Sequence, residues 1–545
     1  MSMFRRILAA ERGTIMVMAA FALTAVMGMT GLAVEVGNGY STKIRNQRVA
    51  DMAALGAAQA YQTSQSAAVA TQVAKDIVAA SGLPASSATV DATAQVNGVN
   101  AIQVTITTAV PVRLAHVVLN GSSYNVTSIA AASLTSTSVP GCITALSSAV
   151  TNGVSLTGGT HITANGCAVL TNSGVSATAG TTISAKQVVA GKVVNDEAAQ
   201  WGTPGITTTP TAKNIKQNKS GAASDTVGTD PRVVAGFAKV GNFTAPTPPA
   251  SGAQAWNFDY SPTGQLAKWW DGSNTYTVPA GTGAYNVGSI STAGGIKVVI
   301  QDGAVLRVAG NVALNNATMG AVTLDIGGQL NVSSGSTVTV ASGNVAIGNN
   351  GSGNAITVGG GGILSFGNGT FSANGSIVTG GGSSITFGAT ASHYIKGALS
   401  LGGSATFGAG AYYINGDFTN GTGGTLSGSG VTFFASGTLA MAGGATLNLV
   451  APTTDAGGGI TDLLFATKST AQTRFDAGAT GYYGGMIYAP NSDMVMTGGA
   501  GAGSTGRCFS LVVNTFTLTG GTTAGTACTS LGSGSSGSNG VSLLQ

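Results

Sequence analysis

Residues 363–369 read ILSFGNG, and the same pattern returns as ITFGAT at 385–390 and as ATFGAG at 405–410. The repeats place Phe366, Phe387 and Phe407 at intervals of 21 and 20 residues. An interval of about 20 residues is typical of one coil of a β-solenoid, in which each coil contacts only its neighbours. The pattern therefore predicts a parallel β-helix, with apolar side chains inside and Gly or Asn at its corners.

The predicted solenoid has two parts. HYIKG at 393–397 returns as YYING at 412–416, and the surrounding Gly-rich region, 281–530, is the main β-solenoid. At about 20 residues per coil it would hold roughly 12 coils and measure about 60 Å. Residues 139–200 have the same character and form a first solenoid part. We expect an irregular insertion at 201–280 and a flexible tail at 531–545.

The insertion is rich in Pro and in aromatic residues. Its aromatic side chains permit two interpretations: a sugar-binding platform, since aromatic faces stack on apolar ligand faces, or a loop that packs on the side of the solenoid. We favour the loop. The residues concerned are Trp256, Phe258, Tyr260, Trp269 and Trp270.

The composition excludes two broad classes. The chain has 545 residues with 85 Gly, and 7% of its residues are charged against 43% apolar. Disordered chains need high charge and little apolar surface, so this composition predicts folded, mainly β structure. The net charge of +4 resides mostly in residues 1–51. We expect no nucleic-acid partner, because such partners require clustered basic side chains on the folded body.

Residues 14–34 read TIMVMAAFALTAVMGMTGLAV, which is 21 residues without a charge. That length crosses a hydrocarbon core of about 30 Å, so we predict a cytoplasmic basic segment at 1–13 and a transmembrane helix at 14–36. A cleaved signal peptide is less favoured because its apolar region is normally shorter. Basic residues before the span favour a cytoplasmic N-terminus, although Lys43, Arg45 and Arg48 beyond it weaken that rule.

Residues 37–138 predict a helix followed by a small antiparallel sheet, a pilin-like α+β layout. The helical pattern continues to about Ala80, where Ser81, Gly82 and Pro84 end it. Alternation then predicts strands at 88–96, 101–110 and 124–134. Residues 112–120 could form a short helix, in which we expect His116 to be a packed side chain.

This N-terminal region resembles the TadE/TadG-like proteins of bacterial Flp (tight adherence) pilus assembly. The resemblance rests on EVG at 35–37 closing the span, on Arg45 and Gln47, and on ADMAAL at 50–55. Processing as a pilin is not expected, because prepilins have Glu five residues after the cleavage Gly and this chain has Met18 there. The family-motif positions are Gly13, Glu35, Gln47, Asp51, Ala53, Ala54 and Leu55.

Glu35 could pair with a basic group of a neighbouring span, but we expect it to lie in water at the membrane interface.

The C-terminal body looks like the β-rich region of some alphaproteobacterial TadG-like proteins, at APT (451–453), GMIYAP (485–490) and 508–528. Many TadG proteins instead carry a von Willebrand A domain, but its D-x-S-x-S metal motif is absent here, so no metal is expected.

The four cysteines fall into two local pairs, whose members are 25 residues apart in the first pair and 20 in the second. Neither pair has the C-x-x-C spacing of a metal or redox site. We predict two local disulfides, one near each end of the β region, with buried free thiols as the alternative. The pairs are Cys142 with Cys167 and Cys508 with Cys528.

We expect no catalytic residue and no cofactor. The acids of the main solenoid are scattered without a D-x-D or D-D pair, and His161 and His393 have no acid nearby in sequence. A polysaccharide-acting β-helix enzyme needs paired carboxylates, so it is a minor alternative. An ice-binding solenoid is another, since GAYYINGDF at 410–418 and GGMIYAP at 484–490 faintly resemble that family.

The sequence thus predicts a non-catalytic protein of the Flp/tight adherence system that acts in pilus assembly, anchoring or surface attachment. Its alternative is a pilus-independent adhesin or matrix protein. We expect one membrane-spanning helix in the bacterial inner membrane and a body in the periplasm or at the cell surface. The expected partners are other Flp/Tad pilus components, and a surface polysaccharide is a further candidate.

Overall fold

The computed structural model describes residues 12–64, 66–96, 99–113, 122–134, 139–200, 205–208, 214–249, 252–349, 351, 353–421, 423–442, 444–476, 481–497, 507–520, 522–531 and 543–544. The chain forms two compact units. Unit 1 comprises residues 1–138 and 539–545, and unit 2 comprises residues 139–538.

Unit 1 begins with two helices, α1 (Arg12–Ser64) and α2 (Ala67–Ala80). The prediction of one helix to about Ala80 was correct about its end but missed a break. Ser66 caps α2 by accepting a hydrogen bond from the Val69 amide, so the chain can turn and start a new helix there. The two helices then pack against each other through small residues, and a β-carbon at Gly56 would require the tip of the Ile77 side chain to move.

The small sheet of unit 1 is antiparallel. It contains β1 (Ala88–Val96), β2 (Val99–Pro111) and β3 (Ser123–Ser133), numbered in chain order, which confirms the predicted strands. The final strand, β41 (Leu543–Leu544), pairs with the end of β3. Most of the predicted helix at 112–120, including His116, and most of the predicted tail lie outside the described residues.

Ala-rich helix faces and one face of the sheet form the core of unit 1. Small side chains let the helices approach each other and the sheet closely, which favours dense packing. The fully buried apolar helix residues are Ala50, Ala53, Ala54, Ala57, Ala58, Ala70, Ala74 and Val78, and the strand residues packed against them include Ile102, Val104 and Ile106.

Unit 2 is a parallel β-solenoid of about 16 turns, with three strand segments in each full turn. The first part of the chain supplies β4 (Gly141–Ala145), β5 (Asn152–Thr157), β6 (His161–Thr171), β7 (Gly174–Ala177), β8 (Thr182–Ala190), β9 (Val194–Asp196), α3 (Glu197–Gln200), β10 (Gly205–Thr208) and β11 (Ile215–Lys216). A connecting segment then supplies α4 (Pro231–Ala238).

The second part supplies the other turns. Its elements are β12 (Trp256–Phe258), α5 (Gly264–Trp269), β13 (Thr275–Val278), β14 (Tyr285–Val287), β15 (Ile290–Thr292), β16 (Lys297–Ile300), β17 (Val305–Val308), β18 (Val312–Leu314), β19 (Asn316–Ile326), β20 (Leu330–Val332), β21 (Thr337–Ile347), β22 (Asn354–Val358), β23 (Ile363–Asn368), β24 (Phe371–Ala373), β25 (Ser376–Thr379), β26 (Ser384–Phe387), β27 (Ser392–Ile395), β28 (Leu399–Leu401), β29 (Ser404–Phe407), β30 (Gly410–Ile414), β31 (Phe418–Asn420), β32 (Thr425–Ser429), β33 (Val431–Ala435), β34 (Leu439–Met441), β35 (Thr446–Val450), β36 (Leu463–Thr467), β37 (Thr473–Phe475), β38 (Gly481–Thr497), β39 (Phe509–Thr519) and β40 (Thr522–Ala524).

The sequence repeat is the coil repeat, as predicted. Phe387 of β26 lies in register with Phe407 of β29, and their rings stack with centroids 5.7 Å apart. His393 of β27 likewise lies beside Tyr412 of β30, with centroids 3.9 Å apart. Equivalent inward side chains therefore stack from coil to coil and fill the interior.

The order of stacking differs from the order of sequence. β39 pairs on one side with β38 and on the other with β4 and β5, and β40 pairs with β6. The first solenoid part is therefore stacked beyond the C-terminal end of the second part. The sequence could not show this junction, because both parts have the same coil pattern.

A connecting segment, residues 217–249, joins the two parts, and we call it the strap. It covers one face of the solenoid, where Phe237 of α4 packs edge-on against Phe434 with ring centroids 5.2 Å apart. Gly236 approaches the same ring so closely that a β-carbon would overlap it. Further along, the Thr244 amide donates to Ser372 Oγ over 2.7 Å, so the strap is held at several coils.

Both disulfides lie near the junction. The structure joins Cys142 to Cys167 and Cys508 to Cys528, the local pairs expected from spacing. Their expected positions at opposite ends of the β region were wrong, because β4 stacks on β39. Gly525 lies beside the Cys142–Cys167 disulfide, where a β-carbon on Gly525 would come within 3.1 Å of Cys142 Sγ.

The first prediction concerns these bonds. Changing Cys142 and Cys167 together to Ser should lower the free energy of unfolding of unit 2 by about 3 kcal/mol. The reason is that the disulfide no longer closes a loop in the unfolded chain, which therefore gains conformational entropy. Urea unfolding of the purified chain measures this loss. The change at Cys508 and Cys528 is the matched comparison, since it opens a loop of similar length, and an unchanged midpoint in both variants would contradict the prediction.

The second prediction concerns His393, whose ring is buried in the core and stacks on the ring of Tyr412. Burial lowers the pKa of His393 from 6.5 to about 4. The unfolded chain therefore binds a proton more readily, so stability is complete above about pH 6.5 and falls by up to about 3 kcal/mol as the pH drops towards 4. H393F should show a weaker loss between pH 7 and 5, measured by urea unfolding.

The control for this variant is H161Q, because His161 is only partly buried and bonds Thr182 at a distance of 2.7 Å. It should keep the pH dependence of the unchanged protein. The idea fails if H393F and H161Q give the same pH profile.

Candidate functional site

The first half of α1 presents apolar side chains to its surroundings. Within the described residues, one helical stretch, 18–61, is long and apolar enough to cross a membrane. Met18, Phe21 and Met29 are each more than 70% exposed, whereas the second half of α1 packs on the sheet. This difference in exposure between the two halves of α1 suits a helix whose first half lies in lipid and whose second half packs against protein.

Glu35 lies where these halves meet. Its side chain is 4% exposed, and Oε1 accepts a hydrogen bond of 2.5 Å from the Arg113 amide, just beyond β2. The Tyr124 hydroxyl donates to the Glu35 carbonyl over 2.8 Å. The expectation that Glu35 lies in water was wrong, because the sheet covers it and a main-chain N–H replaces the water.

Gln47 and Asp51 join α1 to the sheet. Gln47 Nε2 donates to Asp51 Oδ1 over 2.9 Å and to the Ile129 carbonyl of β3 over 3.0 Å. Gln47 thus bridges one helix turn and the neighbouring strand. Among the other motif positions, Ala53 and Ala54 are fully buried, Leu55 is partly buried, and Gly13 lies in the first turn of α1.

Asn46 is a polar residue of this interface that the sequence reasoning missed. It is fully buried, and its Nδ2 donates to Thr108 Oγ1 over 2.8 Å and to the Val126 carbonyl over 3.1 Å. The only available signal was a polar residue one position before the matched Gln47. Asn46 therefore adds a buried polar contact between α1 and the small sheet.

The acids of the solenoid are occupied in structural contacts. Asp417 accepts bonds from the amide and hydroxyl of Thr438 on the next coil, at 2.8 and 2.7 Å. Asp493 similarly accepts from Asn514 and Thr515. The remaining acids of this region, Asp302, Asp325, Asp455, Asp462 and Asp476, also accept side-chain or main-chain hydrogen bonds.

The described part of the chain contains no group of three or more His, Cys, Asp or Glu residues that could hold a metal ion. His393, singled out in the sequence, lies in the core with its Nε2 2.9 Å from the Gly388 carbonyl. His161 lies apart from it on β6.

The insertion aromatics pack at one end of the solenoid rather than on its side. Trp256 and Phe258 belong to the terminal strand β12, which pairs only with β15 among the described strands. Trp269 at the end of α5 packs edge-on against Trp256 with centroids 5.0 Å apart. These rings cover the apolar end of the stack, which leaves Tyr260 as the exposed member of the group.

A cleft of about 430 Å³ lies between the strap and the solenoid face beneath it. Its aromatic wall is Tyr394, whose ring stacks on Tyr413 at 5.3 Å. Its polar groups include Asp325, Asn344 and Ser392. A cleft of this size with one aromatic face and several hydrogen-bonding groups has the features of a small-ligand site.

In the comparison with protein families, residues 13–60 match a family described as putative Flp pilus-assembly TadE/G-like. The match confirms the resemblance of the N-terminal segment and supports a role related to the Flp pilus. It covers the apolar half of α1 and the half that packs on the sheet. Comparisons with curated proteins and with solved structures give no match.

The third prediction tests the buried polar contact of the matched segment. N46A should destabilise unit 1 by about 1–3 kcal/mol, because Thr108 Oγ1 and the Val126 carbonyl lose their partner inside the core. Hydrogen exchange should become faster in β2 and β3 of the full chain. N38A is the control on an exposed position of the same helix, and equal exchange in both variants would refute the prediction.

Proposed function

We propose that this chain is a non-catalytic cell-envelope protein of the Flp/tight adherence pilus system. It would be anchored in the bacterial inner membrane by α1, with its solenoid in the periplasm or at the cell surface. The observation that carries the proposal is the TadE/G-like match at residues 13–60, on a helix that is exposed and apolar before Glu35 and packed on a sheet after it.

The solenoid supports a binding role within that system. Its interior is filled by stacked apolar side chains, and its acids make contacts between coils or with the strap. A long stack of this kind offers extended outer faces to other molecules. The proposed action is therefore assembly, anchoring or surface attachment through contact, with other Flp/Tad components as partners.

The fourth prediction separates the pilus role from the alternative of a pilus-independent adhesin. Deleting the gene should reduce the number of surface pili counted by electron microscopy, and expression of the full chain should restore them. Normal pilus numbers with lost surface attachment would instead support the adhesin. Normal numbers with normal attachment would contradict both.

A surface polysaccharide is the proposed ligand of the solenoid, and the cleft beneath the strap supports it. The ring of Tyr394 and the polar side chains of Asp325 and Asn344 all line this cleft. Sugars are recognised by this combination of a stacked ring and directed polar contacts.

The fifth prediction tests that ligand. Y394A should weaken retention of the full chain on envelope polysaccharide by about fivefold or more, because loss of the ring removes about 1 kcal/mol or more of stacking. Y482A is the matched control, since Tyr482 is an exposed tyrosine on β38. Equal retention of both variants and the unchanged chain would exclude the cleft as the sugar site.

A further inference from the structure

A groove of about 750 Å³ lies in unit 1 between α1 and the beginning of β3. This volume falls within the range of roughly 300–1,000 Å³ that is usual for small-molecule sites. Its side chains change from apolar to polar along α1, from Leu32 and Val36 to Tyr40 and Lys43. The opposite wall includes Tyr124 and Val126 of β3.

The groove begins where the exposed apolar segment ends. The 21 uncharged residues 14–34 span about 31 Å as a helix, which matches the hydrocarbon core. Leu32 therefore lies at the edge of that core, and Tyr40 lies about 9 Å beyond Val34 along the helix axis. This is the depth of lipid headgroups, where Tyr is a favoured side chain. Leu32, at one end of the groove, thus belongs to the apolar segment itself.

The charged groups around the groove favour an anion. Lys43 is exposed, and its long side chain can reach back towards the headgroups. No side chain among the described residues forms an ion pair with it. The carboxylate of Glu35 lines the groove but is buried and already bonded to the Arg113 amide. A neighbouring pocket on α1 is lined by Arg45 and Arg113, which adds positive charge.

We propose that this groove binds one anionic phospholipid of the bilayer. Its acyl region would contact Leu32 and Val36, which are 45% and 64% exposed, and its phosphate would contact Lys43. The occupant follows from continuity with the membrane-spanning surface and from charge complementarity. The site also gives Lys43 a role. If the N-terminus is cytoplasmic, Lys43 lies on the opposite side of the membrane, where basic residues are disfavoured unless they bind an anionic group.

The experiment uses the full chain in neutral detergent micelles, with phosphatidylglycerol and phosphatidylcholine as probes. Native mass spectrometry counts the lipid retained at each concentration. We expect one phosphatidylglycerol to be retained in preference to phosphatidylcholine. K43E should reduce this retention about fivefold or more, because a cation near anionic lipid becomes an anion. V36W should reduce it by filling the groove.

R48E is the matched control, because Arg48 is an exposed cation on the same helix outside the groove. It should retain phosphatidylglycerol almost as the unchanged chain does. Hydrogen exchange of β2 and β3 verifies that each variant keeps unit 1 folded. Equal retention of the two lipids would overturn the proposal, and so would equal losses in K43E and R48E. The proposal would also fail if two V36C chains crosslink through this position and the second copy then excludes the lipid.

Discussion

Each strand inside the solenoid stack forms its backbone hydrogen bonds with the strands directly before and after it in the stack. In a parallel stack this requires that equivalent positions of successive coils remain in register, because a shift of one residue would exchange inward and outward side chains. The register of Phe387 with Phe407 and of His393 with Tyr412 shows how the requirement is met. Apolar rings stack inside, and polar side chains face outwards.

The same requirement explains the junction. Without the first solenoid part, β39 and β40 would end the stack with unpaired backbone groups, which promote unwanted association. Because β4 and β5 pair with β39, the stack continues there without a continuous chain. The chain must then travel back along the outside to begin the other turns, which is the task of the strap. The two disulfides lie near the place where this arrangement departs from simple sequential stacking.

Unit 1 follows a different rule, because its helices pack through small residues. Ala53 and Ala54 allow α1 to approach the sheet, and buried Asn46 and Gln47 satisfy carbonyls that the approach would otherwise leave unpaired. The motif matched to the TadE/G-like family therefore joins the apolar part of α1 to the small sheet of unit 1.

The sequence by itself determined the coil repeat, the apolar span, the strands of the small sheet and the local pairing of the cysteines. These properties depend on neighbouring residues or on one regular period, so Phe366, Phe387 and Phe407 were sufficient to reveal the coil. Only the tertiary structure decided the helix break after Ser64, the burial of Glu35 and the stacking of β4 on β39. The burial of Glu35 and the stacking of β4 depend on which distant surfaces meet, and interchangeable coil patterns carry no information about their order in space.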